Sequence, residues 1–200
     1  MSNENHIFSD LPKARLMVVS GASGSGKSTV VKHLAAHPAI SPLVSVSVTT
    51  REPRPGEVHG REYFFLSRGE FEGLKAANEL LEYAEVHGNA YGTPAGPVMK
   101  QINEGGLAVL EIDVQGAWQV KQRMPNSVFV FIHAPDMATL ETRLRGRGTD
   151  SEAVIQKRLE NARREIEQSH WYDYQVVNDQ LDRTVGELVA YWTGLISGGV

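Results

Sequence analysis

The residues Gly21-Ala22-Ser23-Gly24-Ser25-Gly26-Lys27-Ser28 match the spacing G-x-x-x-x-G-K-[ST]. Glycines at these positions let successive backbone N–H groups turn inward with no Cβ in the way. Those N–H groups and the positive end of the helix that follows can hold phosphate oxygens. Lys27 adds a point charge for the outer phosphates, and Ser28 offers a hydroxyl ligand to Mg²⁺. The flanks suit the motif: Leu16-Met17-Val18-Val19 reads as a buried parallel strand, and Thr29 to Leu34 as the start of a helix. A chance Gly/Ser turn would not sit on such a junction, so the stretch points to a nucleoside triphosphate.

A second set of groups suits a second phosphate. Ser47 to Tyr63 carries prolines and glycines that shape a loop, and it brings Arg51, Arg54 and Tyr63 within reach of one another. Guanidinium forks pair with phosphate in a bidentate manner; the plainer reading is a solvated basic loop. Leu107 to Asp113 is an apolar run ending in acid, which places Asp113 where a Mg²⁺-facing carboxylate belongs in a nucleotide-binding α/β sheet. Arg143, Arg147 and Arg158 lie around the breaker Gly146-Arg147-Gly148-Thr149-Asp150 and suit charge neutralisation in phosphoryl transfer. His33 and His37 are four apart, but with no third ligand nearby they read as a surface pair.

The elements that must position these groups alternate. Strands are expected at Ala14–Ser20, Leu43–Val48, Leu80–Val86, Leu107–Asp113, Val128–His133 and Gln175–Val177. Helices are expected from the loop to about His37, at Phe71–Asn78, Val98–Asn103, Ala117–Met124, after Asp136, at Ser151–Ser169 and at the C-terminus. Ser67-x-x-Glu70 and Thr184-x-x-Glu187 read as capping boxes that open helices. The alternation implies an α/β three-layer fold with a central parallel sheet, joined by right-handed crossovers, with ligand at the C-terminal strand ends. Residues 47–93 and 143–158 break the alternation and read as lobes over the site. The core is then 14–46, 94–142 and 159–200, behind a loose tail at 1–13, all in a single domain.

Composition narrows the classes. A net charge of −4 gives no electrostatic footprint for nucleic acid or an anionic membrane. No cysteine is present, which excludes disulfide and thiolate chemistry. The N-terminal stretch lacks the basic start and apolar run of a secretory signal, and no segment approaches membrane-spanning length. The expectation is a cytoplasmic protein. Asp113-Val114-Gln115-Gly116 fits the D-x-x-G of regulatory GTPases, but those read guanine with N-K-x-D, and the chain contains no Asn-Lys pair.

From Ala14 to about Ile196 the chain resembles the guanylate kinases. The resemblance rests on residues 21–28, Ser47-Val48-Thr49-Thr50-Arg51-x-Pro53-Arg54-x-Gly56-Glu57-x-x-Gly60, Glu82-Tyr83-Ala84-x-Val86-x-Gly88-Asn89-x-Tyr91-Gly92-Thr93, Ile112-Asp113-x-Gln115-Gly116 and Arg143-Leu144-x-x-Arg147-Gly148-Thr149. It implies a P-loop fold with a GMP-binding lobe at 47–93 and a lid at 143–158, ATP with Mg²⁺ as donor and GMP as acceptor. Ser47, Arg51, Arg54, Tyr63 and Tyr91 would then surround the GMP phosphate, and Glu82, Thr93 and Asp113 would lie near guanine or ribose. Gly21 to Ser28 with Thr29 would hold the ATP phosphates, and Asn178 would sit near adenine. Lys27, Arg51, Arg143, Arg147 and Arg158 would act on the transferring group, with Ser28 and Asp113 toward the metal.

Ligand chemistry agrees. Guanine presents N1–H and an N2 amine side by side, and one carboxylate such as Glu82 can accept from both. Adenine would leave that carboxylate unpaired, which a site of this kind rejects by roughly 10⁴. Thr93 can donate to guanine O6. Ala22, Glu62, Ala90 and Glu111 depart from the usual family pattern, and Glu111 is the one that touches the metal or ribose question. Guanylate-kinase-like modules also serve as non-catalytic scaffolds. Those typically lose the loop lysine or the lid arginines and sit beside other modules; here both sets are intact. A kinase for another monophosphate fails mainly on Glu82 and Thr93.

Overall fold

The structure, a computed structural model, describes residues 12–86, 88–146 and 151–198. Arg147 and the rest of the breaker through Asp150 lie outside the described residues. Two sheets organise the chain. The larger is parallel throughout, with strands in the order β2 (Leu43–Val44), β7 (Ala108–Glu111), β1 (Leu16–Ser20), β8 (Val128–His133) and β9 (Tyr174–Val177). Its strands read as unbroken apolar runs because helices cover both faces. On one face, α1 (Lys27–Ala35) and α7 (Leu181–Ile196) pack Val30, Leu34, Leu188 and Trp192 onto Met17, Val109 and Val130. On the other, α3 (Ala95–Asn103) and α4 (Val114–Arg123) pack Val98, Ile102, Ala117 and Val120 onto Leu16, Val18, Leu110 and Phe129. This is the three-layer arrangement that the alternation implies.

The smaller sheet takes every strand from residues 48–94. Its order is β4 (Phe64–Phe65), β3 (Val48–Thr49), β6 (Asn89–Pro94) and β5 (Leu80–Val86), and it packs on α2 (Arg68–Ala76) through Val48, Phe71, Leu80 and Ala90. Ser67 caps α2 with a full capping box: its side chain accepts from the Glu70 N–H, and the Glu70 carboxylate accepts from the Ser67 N–H. Two further helices, α5 (Met137–Arg145) and α6 (Glu152–Glu167), bury Leu140, Leu144, Ile155 and Leu159 against Ala22 of the glycine loop. Asp136 caps α5 as the sequence suggests, accepting from the Thr139 N–H at 2.6 Å.

β4 and β6 are strands that the sequence reading did not expect, and three expected elements differ from it. The expected strand Leu43–Val48 is divided between the two sheets: Leu43 and Val44 pair with Ala108 and Val109, whereas Val48 pairs with Phe64 and Gly92. β propensity marks extended backbone but not which partner it meets. The helix after β7 begins at Val114 rather than Ala117, because the Asp113 carboxylate caps it, accepting from the N–H groups of Gln115 and Gly116. Thr184-x-x-Glu187 is not a capping box. Helix α7 already starts at Leu181, and the buried Thr184 hydroxyl donates back to the Gln180 carbonyl at 3.0 Å.

Trp192 closes the core beneath α7. It is fully buried, and its Nε1–H donates to the Ala14 carbonyl at 2.6 Å. Trp192→Phe removes that donor and leaves a void, so it should lower stability by roughly 1–3 kcal/mol in urea unfolding, with kcat unchanged below the melting range.

Candidate active site

The glycine loop leaves β1 and enters α1 through Gly26, whose φ of +88° is a left-handed conformation. A Cβ at Gly26 would meet the Asn178 side-chain nitrogen at 2.3 Å. Glycine is therefore needed twice over, for the backbone angle and for the approach of Asn178. The carbonyl side of the loop is held from behind. Asn178 Nδ2 donates to the Ser25 carbonyl at 2.9 Å, and Arg143 Nη1 donates to the same oxygen at 3.2 Å. Arg143 Nη2 in turn reaches the Asn178 carbonyl at 3.1 Å. Lys27 Nζ donates to the Gly21 carbonyl at 3.2 Å, and Arg158 Nη1 approaches Ser23 Oγ at 3.4 Å. A cavity of about 270 Å³ opens on the other side of the loop, lined by its glycines, Lys27, Ser28, Thr29, Asp113 and Glu165.

A larger cleft of about 720 Å³ lies next to it. Lys27, Ser28, Glu111 and Asp113 form one wall; Ser47, Tyr63, Glu82, Tyr91 and Gly92 form the other. The two sheets thus face each other across this space. Lys27, Ser28 and Asp113 line both cavities, so the two adjoin at the loop.

Glu82 is the chemically unusual group. It is 4 % exposed, and its Oε1 accepts from Thr93 Oγ1 at 2.7 Å. Burial pushes its carboxyl up to about 7, with the Asp113 carboxylate adding to the shift and the Thr93 bond opposing it. Its Oε2 lies against Gly116, where a Cβ would stand at 2.5 Å. The Thr93 hydroxyl is therefore spent on orienting Glu82 rather than reaching into the cleft.

The loop after β3 is braced from within. The Glu57 carboxylate accepts from the Arg54 N–H at 2.7 Å and from Arg51 Nη2 at 3.0 Å through each oxygen. The Arg54 N–H first, and then the Arg51 guanidinium, hold that carboxyl below the usual carboxylate range. Arg51 also lies over the rings of Tyr63 and Phe65, at 5.5 and 5.8 Å from their centroids. Tyr63 meets Tyr91 edge-to-face at 6.0 Å. The Arg54 side chain is exposed and sits outside the cleft lining.

Of the expected residues, Gly21 to Gly24, Gly26 to Thr29, Ser47, Tyr63, Glu82, Tyr91 and Asp113 line the two cavities, whereas Ser25 is buried within the loop and lines neither. Arg51 and Thr93 stand behind the lining, and Arg143 and Asn178 support the loop from its carbonyl side. Ser28 Oγ donates to Glu111 Oε1 at 2.5 Å, so Glu111 rather than Asp113 is the carboxylate on that hydroxyl. Three further residues, Lys32, Arg61 and Glu165, escaped the sequence reading. Lys32 and Arg61 add cationic lining to the larger cleft. Glu165 faces Lys27 from the charged helix α6, where only the fold distinguishes it from its solvated neighbours; burial pushes its carboxyl up while Lys27 pulls it down.

Known proteins resolve the family. A model of the guanylate kinase family matches residues 13–193. The chain belongs to the guanylate kinase family. The guanylate kinase of Lactobacillus johnsonii is 50 % identical over 173 residues, which is 86 % of this chain and 85 % of the relative. That of Thermobifida fusca is 49 % identical over 191 residues, 95 % of this chain and 96 % of its own. The crystal structure of guanylate kinase from Anaplasma phagocytophilum aligns at a TM-score of 0.73 and 33 % identity, covering 92 % of this chain and 87 % of that one. Among the described residues, no helix is long and apolar enough to cross a membrane.

The raised Glu82 carboxyl makes two pH effects. Between about 4.5 and about 7 the folded protein holds a proton there that the unfolded chain has released. The Glu82 contribution to stability therefore falls as pH rises through that window. With guanine as the expected partner of Glu82, recognition would run the other way, since only the ionised carboxylate can accept from two donors. The kcat/KM for GMP should rise with pH through about 7, and a steady-state profile in which Glu82→Gln loses that limb would assign it to Glu82 rather than to the GMP phosphate.

Proposed function

We infer that the protein is a guanylate kinase that moves the terminal phosphoryl group of ATP to GMP, giving ADP and GDP. The observation that carries this is the shared cleft, with Lys27 and Ser28 on one wall and the buried Glu82 with Tyr63 and Tyr91 on the other. The loop amides and Lys27 hold the donor phosphates. Glu82 accepts from guanine N1–H and N2–H, while Gly116 leaves room for its second oxygen. Tyr63, Tyr91, Ser47 and Arg51 surround the acceptor phosphate; Arg54 reaches it by side-chain rotation, since its backbone alone is tied to Glu57.

No side chain has to act as nucleophile. An ionised oxygen of the GMP phosphate attacks the γ-phosphorus of ATP, the bond to the β,γ-bridging oxygen breaks, and ADP leaves with that electron pair. Alignment and charge neutralisation supply the rate. Lys27 faces the transferring group from its wall; Arg51, behind the Tyr63 side of the cleft, together with Arg143, Arg158 and Arg147, supplies further positive charge. Closure of the small lobe excludes water, which would otherwise accept the phosphoryl group. The donor set also fits Mg²⁺: the Ser28 hydroxyl beside the Glu111 carboxylate offers hard oxygen ligands next to the loop, with Asp113 lining the same wall. Bound there, Mg²⁺ would neutralise charge on the β- and γ-phosphates.

An ADP-release assay with GMP, AMP, dTMP and UMP should give turnover with GMP alone. Glu82→Gln should raise KM for GMP roughly 10–100-fold with little change in KM for ATP, and unchanged GMP discrimination would refute the guanine assignment. Lys27→Ala should lower kcat by roughly 10²–10³, and near-normal turnover would remove the loop as donor site.

A further inference from the structure

Strand β5 is the edge of the small sheet, so its outward N–H and C=O groups have no strand partner. Helix α4 supplies one. The Tyr83 N–H donates to Gln119 Oε1 at 3.2 Å, and Gln119 Nε2 donates to the Tyr83 carbonyl at 2.7 Å. A single glutamine amide thereby stands in for a residue of a neighbouring strand. One turn further, Arg123 Nη1 donates to the carbonyls of Leu80 and Leu81 at 2.7 and 3.3 Å. One turn back lies Gly116, against Glu82 Oε2. Positions 116, 119 and 123 fall on one face of the helix, at spacings of three and four.

The Arg123 contacts fall on an irregularity in the ladder. Leu80 pairs with Pro94 and Glu82 with Thr93, so Leu81 is an extra residue. A bulge of this kind leaves backbone groups unpaired and re-aims the next side chain. Here the next side chain is Glu82. Leu81 itself drops into the main core, whereas Leu80 joins the small lobe. The strand thus changes allegiance at the bulge, and Arg123 satisfies the carbonyls there.

We propose that Arg123 and Gln119 are positioning residues for guanine selection, holding the bulge and the edge of β5 so that the Glu82 carboxylate keeps the angle that accepts both guanine donors. Neither belongs to the apolar face that docks α4 on the core, which is formed by Val114, Ala117 and Val120. The proposal rests on the reading of Glu82 as the guanine acceptor.

A double-mutant cycle tests it. Arg123→Met should raise KM for GMP on the order of tenfold, with kcat and KM for ATP within about twofold, the scale expected when one hydrogen-bonded support is lost. Arg123→Lys, which keeps a donor, should recover most of the loss, and Gln119→Met should act in the same direction. In the Glu82→Gln background, Arg123→Met should add almost nothing to KM for GMP. If its effect there is as large as in the native background, or if it moves KM for ATP equally, Arg123 serves the fold and the proposal falls. Should Arg123→Met not fold, Gln119→Met carries the same cycle. Failure of the underlying reading looks different: Glu82→Gln alone would then leave KM for GMP unchanged, which overturns both.

Discussion

A carboxylate taken out of water is costly unless its oxygens are met by donors, and Glu82 is the place where this protein accepts that cost. The elements around it are arranged accordingly. Thr93 on β6 satisfies one oxygen, and Gly116 on α4 leaves space for the other. Among the described residues the rest of the carboxylate's bonding capacity is unfilled, and a purine with two adjacent donors can fill it. On the proposed reading of Glu82 as the guanine acceptor, the burial that raises the carboxyl would also make the wrong base expensive, because a base without those donors leaves the charge unpaired. Selectivity and local instability would then share one physical origin.

The candidate triphosphate site shows the opposite economy. Its binding groups are backbone N–H groups, which carry no side chain to aim, so the fold aims them by holding the carbonyls on the other side. Asn178 at the end of β9 and Arg143 at the end of α5 converge on the Ser25 carbonyl. Residues far apart in the chain thereby make the loop rigid before any nucleotide arrives. An arginine with one edge on the loop and another on Asn178 also couples the helix pair α5 and α6 to the phosphate site.

The acceptor loop follows a third pattern. Its cations are held by a carboxylate of the same loop: Glu57 binds Arg51 and the Arg54 backbone, while the Tyr63 and Phe65 rings support the Arg51 guanidinium. The brace keeps Arg51 from collapsing onto solvent-exposed conformations and sets its charge beside Tyr63 and Tyr91. Half-buried arginine paired in this manner loses less side-chain freedom when it meets phosphate oxygens.

The sequence by itself determined the alternation of strands and helices and the family, and it marked residues 21–28 as the candidate donor site. Residues 21–28 are contiguous, and their chemistry follows from local backbone freedom next to an apolar strand. The strand Val128–His133 and the caps at Ser67 and Asp136 were legible for the same reason, since periodicity and short-range hydrogen bonds are written in neighbouring residues. Tertiary structure decided what depends on partners distant in the chain. It divided Leu43–Val48 between two sheets, turned Asp113 into a helix cap, and put Glu111 on Ser28. It also made Thr184 an interior helical residue and brought Gln119 and Arg123 to the bulge beside Glu82. A glutamine on a helix has the same local signature whether it faces water or an unpaired strand edge, and only the packing of α4 against β5 tells the two apart.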